Sequence, residues 1–418
     1  MNESKLKLQR LREGYLERLY PEKCLGPQQI VLKLTNACNL RCIYCYSNAG
    51  IHKDIQYISA DMVIDFFDQY FQECRNSVVN CTFHGGEPLL NFPLICEITS
   101  KLKQKYYYPR IRFSIQTNAT LITEDKIEFL KEHFDGVGVS FDGIGEVQGL
   151  TRSKSTGENS FEDFAKGIAL LKSHNIHCGA LLVMTKYNKD HLIETLNWCV
   201  HNGIYGMGIE MVFPGGRGAE RRELAFSPEE YFEIMKEALY WQIGYNQKND
   251  RPFYIRDFET IAKKIVYSTD GHMCACVPCG AGKDEISLDF NGNVYVCDSF
   301  DGKSEYIMGN IKTESLSKIL GAPIVRKFTE RKLNMINECR DCKQNTICII
   351  GCPVRNLIDK DENGLFDRNY MCGYYKKISK LLYDLLVIKK LDPSLFTRSN
   401  GRHVNYQIID FSNEENME

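Results

Sequence analysis

At 418 residues, with 43% apolar and 25% charged side chains, the chain has an ordinary globular composition and is too long for one average core. Its 52 basic and 54 acidic residues leave a net charge of −2, which gives no support to a strongly cationic nucleic-acid surface. The polar start MNESKLKLQRLR lacks the apolar stretch of a secretory signal, and no run approaches the ~18 apolar residues of a membrane span, so the expected location is the cytoplasm.

In chain order, an N-terminal extension (residues 1–28) precedes a long alternation of strand-like and helix-like stretches. Apolar or β-branched runs at 30–35, 78–84, 111–117, 136–142, 179–185 and 207–213 predict strands. Helix-period segments at 60–74, 95–105, 124–133, 161–174 and 189–201 lie between them, with Ser59 and Ser160 as expected caps. Such alternation implies an α/β fold with a parallel sheet and right-handed crossovers, here an incomplete (β/α)6 barrel over residues 29–225. Polar and Gly-rich residues cluster at the C-terminal ends of these strands, the face on which parallel barrels carry their chemistry. A helical connector (226–273), a cysteine-rich domain (274–375) and a closing amphipathic helix with a polar tail (376–418) complete the chain.

Eighteen cysteines in a reducing compartment point to metal or redox chemistry rather than disulfides. Cys24, Cys74, Cys81, Cys96, Cys178 and Cys199 are scattered and read as small apolar core residues. The other twelve are grouped. Directly after the first strand, Cys38, Cys42 and Cys45 place three thiolates on one short loop, enough to hold three irons of a [4Fe–4S] cube and leave the fourth open for a reactant. A zinc site would need a fourth ligand nearby, for which His52 is the local candidate.

The CxxxCxxC spacing, with an aromatic residue before its last cysteine, resembles the signature of the radical S-adenosylmethionine (SAM) superfamily. One βα unit later, Gly85-Gly86-Glu87-Pro88 resembles the motif whose backbone and acid receive the amino group of the cofactor. Gln116-Thr117-Asn118 and Ser140-Phe141-Asp142-Gly143 resemble further stretches of the family. The resemblance implies cofactor contacts from Gly85, Gly86, Glu87, Gln116 and Asn118, a ribose contact from Ser140, a carboxylate contact from Arg152 and contacts to the adenine from Tyr44. It also implies reductive cleavage of SAM to a 5′-deoxyadenosyl radical that abstracts hydrogen from a substrate.

The C-terminal series Cys279, Cys297, Cys339, Cys342, Cys348, Cys352 and Cys372 resembles the SPASM domain, a twin-cluster extension of radical enzymes that act on peptides and proteins. The resemblance implies one auxiliary [4Fe–4S] cluster on Cys279, Cys297 and Cys352 with an upstream cysteine, and a second on Cys339, Cys342, Cys348 and Cys372. Cys274 is preferred over Cys276 as the upstream ligand because its gap to Cys279 is nearer the family spacing. Asp298, directly after Cys297, resembles the proton acceptor of anaerobic sulfatase-maturating enzymes.

Two substrate readings follow. The preferred one is a maturase that forms a thioether, ether or carbon–carbon crosslink in a ribosomally made precursor peptide; the other makes formylglycine from a cysteine or serine of a sulfatase. Gln148, where sulfatase maturases tend to carry histidine, and the CIYCYSNAG continuation weigh against the second. Both readings imply an electron donor such as flavodoxin or ferredoxin. A non-catalytic iron–sulfur carrier is a third possibility, but it would have no use for the GGEP motif.

Overall fold

The computed structural model describes residues 25–106, 110–268, 274, 278–357 and 362–398. Cys24, Cys276, most of the N-terminal extension and the tail from 399 lie outside them. The chain divides into two units. The first runs to Ile204 and adds Glu210–Leu224 and Ala281–Phe328; the second takes Tyr205–Ile209, Ala225–Gly280 and the chain from Thr329 onward.

In the first unit, β1 (Gln29–Lys33), β2 (Val79–His84), β3 (Ile111–Thr117), β4 (Gly136–Ser140) and β5 (Cys178–Met184) form a parallel sheet in that order. The crossovers carry α1 (Ala60–Glu73), α2 (Phe92–Lys105), α3 (Glu124–His133), α4 (Glu146–Thr151), α5 (Phe161–Ser173) and α6 (Leu192–His201). The strands are rich in β-branched and aromatic residues, and their side chains Ile30, Leu32, Phe83, Phe113, Ile115 and Val139 are fully or almost fully buried, Phe83 and Phe113 packing on Phe134 at the end of α3. Helix α1 begins as expected: the Ser59 hydroxyl accepts from the Met62 N–H at 3.2 Å, satisfying one of the unpaired donors of the first turn. Ser160 flanks α5 but does not cap it. Its hydroxyl donates to the Arg152 carbonyl at 2.6 Å, while the Asn159 side chain accepts from Phe161 N–H at 3.0 Å.

The sheet is not closed, in keeping with the expected incomplete barrel. Its β1 edge, however, is extended by strands that the sequence periodicity does not predict. Strand β8 (Glu285–Leu288) pairs in parallel with β1, Gln29 opposite Glu285 and Leu32 opposite Leu288. Antiparallel β9 (Asn293–Tyr295) and β10 (Ile307–Asn310) follow outward. The tight connection of β8 to β9 turns at Gly292 (φ +89°), where the Asp289 carboxylate accepts from the N–H groups of Asn291 and Asn293, both at 2.8 Å.

Strand β6 (Gly206–Met211), whose residues up to Ile209 belong to the second unit, pairs through Gly206 and Met207 with the two-residue β7 (Tyr254–Ile255) of that unit. Helix α7 (Pro228–Asn246) opens with a capping box: Ser227 and Glu230 each accept the other's backbone N–H, at 3.2 and 3.0 Å. Helix α8 (Arg256–Tyr267) follows. The closing helix α9 (Cys372–Tyr383) starts at the last cysteine of the series, four residues before the expected position, and loosens into a π turn over Asp384–Ile388. It packs on α7, where Tyr231 and Tyr374 meet edge to face with ring centroids 4.7 Å apart.

Candidate active site

The cysteine loop after β1 is held by its neighbours on every side. Arg41 N–H and Ile43 N–H donate to the carbonyls of Ser153 (2.7 Å) and Thr151 (3.0 Å), and Ser155 N–H donates to Asn39 (2.9 Å). From the Gly-rich segment after β6, Arg217 Nε donates to the Cys42 carbonyl at 2.8 Å and its N–H to Cys45 at 3.0 Å. A Cβ on Gly216 (φ +50°) would collide with the Cys45 carbonyl, which explains a glycine there. Gly86 has the same logic. Its N–H donates to Thr35 and that of Glu87 to Ala37, at 2.7 and 2.9 Å, so closely that a Gly86 side chain would strike the Ala37 carbonyl. The GGEP segment is thus a buttress for the cysteine loop.

Burial, with the neighbouring Cys42 thiol and Glu87, pushes the Cys38 thiol up to about 12; burial pushes the Cys42 thiol up to about 11 against the opposing charge of Arg152. Two thiols so placed become thiolates only beside a compensating positive charge, which is the demand a metal centre meets. Among the described residues, the only trio of potential ligands with all atoms within 4.8 Å of one another is Glu285, Cys297 and Asp298. The sulfurs of Cys38, Cys42 and Cys45 are therefore more widely spread than one tetrahedral zinc at ~2.3 Å would hold them. His52 is exposed, its Nε2 3.5 Å from the Ser47 carbonyl. The donor set suits an iron–sulfur cube better than zinc.

The residues expected to hold the cofactor are gathered at the C-terminal ends of β2, β3 and β4, but several are already occupied. Glu87, almost fully buried, accepts from Leu89 N–H (3.0 Å), the Thr117 hydroxyl (2.7 Å) and Asn118 N–H (2.8 Å). Burial raises its pKa in spite of those bonds. Asn118 Nδ2 donates to Asn39 in the cysteine loop at 2.8 Å, and Gln116 Nε2 donates to the Ser140 hydroxyl at 3.0 Å. Arg152 is buried rather than a surface charge. Its Nη1 donates to the Tyr44 hydroxyl at 2.8 Å, which in turn donates to Asp142, while its Nε has no partner among the described residues. Burial alone would weaken this cation, but Cys42, Tyr44 and Asp142 more than offset it and raise its pKa.

A second group surrounds Asp298. Because β8 lies on the edge of β1, Asp298 comes to the buried Lys33 and to Tyr46, the residue after Cys45. Lys33 Nζ donates to the Tyr46 hydroxyl at 2.6 Å, Tyr46 donates to Asp298 Oδ2 at 3.1 Å, and Lys33 pairs with Asp298 and Asp301, both at 3.8 Å. Cys297 Sγ donates to Glu285 Oε1 at 3.1 Å and lies 3.6 Å from Asp298 Oδ1. Burial would raise the Asp298 pKa, but Lys33, His84, Tyr46 and Cys297 bring it below the usual carboxylate value. Glu285 goes the other way, to about 7, through burial and the adjacent Asp298. His84 is held down to about 4 by burial and by Lys33. Sequence reasoning missed Lys33, Tyr46 and Glu285, of which only a lysine inside an otherwise apolar strand gave a visible sign, and it placed His84 no further than among the polar residues at a strand end.

In the second unit, Cys339, Cys342, Cys348 and Cys372 line a single cavity of about 40 Å³ together with Arg368 and Lys376. Burial pushes Cys348 up to about 12, although Ile350 N–H donates to its sulfur at 3.3 Å. Cys279 and Cys352 also belong to this unit and Cys297 to the first. Cys274 is exposed.

The chain belongs to the radical SAM superfamily and carries a SPASM iron–sulfur cluster-binding domain; the two family models match residues 32–199 and 279–343. It is accordingly a radical SAM enzyme whose cofactors are S-adenosylmethionine and [4Fe–4S] clusters. An uncharacterized protein of Methanocaldococcus jannaschii is 32% identical, the match covering 70% of this chain and 92% of that protein. The serine-type anaerobic sulfatase-maturating enzyme of Bacteroides thetaiotaomicron is 28% identical over 84% of this chain and 88% of its own length. Among solved structures, native anSMEcpe with bound AdoMet shares the fold with a TM-score of 0.76 at 22% identity, over 87% of this chain and 99% of that one. Streptococcus suis SuiB bound to the precursor peptide SuiA is more distant, with a TM-score of 0.63 at 17% identity over 89% and 82%. The relatives thus favour the sulfatase-maturase alternative over the crosslinking reading preferred from the sequence.

Proposed function

We propose that this chain is a radical SAM maturase that oxidises a cysteine or serine side chain of a peptide or protein to formylglycine. One observation carries the reading: Asp298 is a carboxylate held below its usual pKa, 3.1 Å from the hydroxyl of the residue that follows Cys45. A base kept ionised beside the first-cluster loop is what a two-electron oxidation of a side chain requires. The curated sulfatase-maturase relative supports the same assignment.

When bound, SAM and its cluster on Cys38, Cys42 and Cys45 supply a radical that removes a hydrogen atom, and auxiliary clusters on the C-terminal cysteines take up an electron. The chain's own part is to bind the substrate, exclude water and accept one proton at the Asp298 carboxylate. Tyr44, Gly85, Gly86, Glu87, Gln116, Asn118, Ser140 and Arg152 form the wall we assign to SAM. The external electron comes from a flavodoxin- or ferredoxin-type donor. Gln148, the departure that weighed against this reading, has a role in the fold, since it is fully buried and its Oε1 accepts from Asp142 N–H at 2.9 Å.

The test is anaerobic turnover of cysteine and serine peptides deuterated at the β-carbon. Deuterium should enter 5′-deoxyadenosine, and an aldehyde should be trapped by a hydrazide. Asp298→Asn should keep deuterium transfer while product per 5′-deoxyadenosine falls ~10²–10⁴-fold. A crosslinked product with no aldehyde would instead select the precursor-peptide reading. Iron content should be about twelve in the intact protein and about eight after Cys38, Cys42 and Cys45 are changed to alanine; about four in the intact protein would sink the three-cluster assignment.

A further inference from the structure

Arg331, in the second unit, is among the largest fully buried side chains of the protein, with 1% of its surface exposed. A guanidinium out of water demands a partner for each N–H and a charge to balance it. Its Nε donates to the Leu365 carbonyl, but Nη2 has no partner among the described residues. No carboxylate among the described residues pairs with Arg331. Burial pulls its pKa below the usual arginine value, and the neighbouring Cys279, Cys339 and Cys352, all in the same unit, act in the opposite direction.

Those three cysteines do not belong to one set. Cys279 and Cys352 fall in the first auxiliary set and Cys339 in the second, so the guanidinium lies within electrostatic reach of both. A buried donor with no partner among the described residues, set beside thiols, has a plain chemical answer, because thiolates and cluster sulfides are acceptors that carry negative charge. Hydrogen bonds to sulfur and local net charge are also the levers by which a protein sets cluster potentials.

We propose that Arg331 is a redox-tuning residue shared by the two auxiliary clusters, its free Nη2–H donating to cluster-bound sulfur and its buried cation favouring the reduced state. The inference rests on the auxiliary-cluster assignment above and goes beyond it, since no ligand role is claimed for Arg331. A neutral side chain there would make the clusters harder to reduce and so poorer acceptors for the electron released on side-chain oxidation.

The experiment uses the full chain with Cys38, Cys42 and Cys45 changed to alanine, so that only auxiliary clusters are seen. Arginine labelled with ¹⁵N is incorporated, and the reduced protein is examined by pulsed electron paramagnetic resonance. A ¹⁵N coupling that disappears in Arg331→Lys is the expected result. No coupling in the parent, or a coupling that survives Arg331→Lys, overturns the proposal. At a fixed potential, Arg331→Met should lower the reduced-to-oxidised ratio of an auxiliary cluster roughly tenfold, the scale of a hydrogen bond to a charged group, with Arg331→Lys in between. Unchanged ratios in both variants at full iron content also overturn it. Absence of iron from the C-terminal cysteines in the parent is a separate result, and it overturns the cluster assignment along with the inference.

Discussion

The residue that most controls the chemistry of Asp298 is Lys33. A buried ammonium shared by Tyr46, Asp298 and Asp301 keeps Asp298 ionised despite its surroundings. A carboxylate with a lowered folded pKa contributes stability that is complete above its ordinary range and lost as pH falls through the folded value. The same sign governs activity, since the base works only when deprotonated. Lys33→Met removes the strongest charge that lowers the Asp298 pKa and leaves the burial that raises it. The acid limb of product per 5′-deoxyadenosine should then move to higher pH, while cofactor cleavage without product persists. Lys33→Arg, which keeps the charge, should restore most of the parental profile. An unmoved acid limb in Lys33→Met would show that Lys33 serves packing alone.

At the scale of elements, the loops that follow the strands fix one another through backbone hydrogen bonds. The cysteine loop is pinned by the 151–155 segment, the GGEP turn and the Gly-rich segment after β6. The glycines there are required by close backbone approach, and Gly86 and Gly216 have no room for a side chain. Gly244 in α7 is the opposite case, because a Cβ there would meet nothing within 4 Å. A helical glycine in open space costs backbone entropy without return. Gly244→Ala should therefore stabilise the protein by roughly 0.5–1 kcal/mol, measured as a rise in urea midpoint at unchanged slope. A lower midpoint would reveal a close neighbour that the helix geometry does not show.

Over the whole molecule, three thiols of one short stretch, Cys339, Cys342 and Cys348, converge with Cys372 on one cavity of the second unit. With Cys348 raised to about 12, that arrangement has little reason to persist without metal. Anaerobic chelation of the iron should lower the thermal midpoint, since a ligand bound to the folded state alone stabilises it by mass action. Amide exchange should quicken over residues 336–375, whereas β1–β5, whose buried core residues make no use of metal, should keep their protection. Uniform loss of protection in both regions would mean that the sheet also depends on its clusters. Among the described residues no helix is long and apolar enough to cross a membrane.

What the sequence determined by itself is local. Strand and helix periods marked β1–β5 and their crossovers within a few residues, because burial of one face is written in spacing. The cysteine spacings and GGEP were legible for the same reason: their residues lie close together along the chain. Tertiary structure decided what depends on distant partners. Tyr46 and Asp298 are 252 residues apart, and only the pairing of β8 with β1 brings them together. Nothing in VCDSFDG indicates that Asp298 meets a buried lysine, nor does any local pattern tell that Arg152 is enclosed by Tyr44 and Asp142. Arg331 reads as one more charged residue in TERKLN, and only folding sets its guanidinium among cysteines near and far along the chain. Burial and charge pairing across such separations are properties of the packed structure, and they set the pKa values on which the proposed chemistry rests.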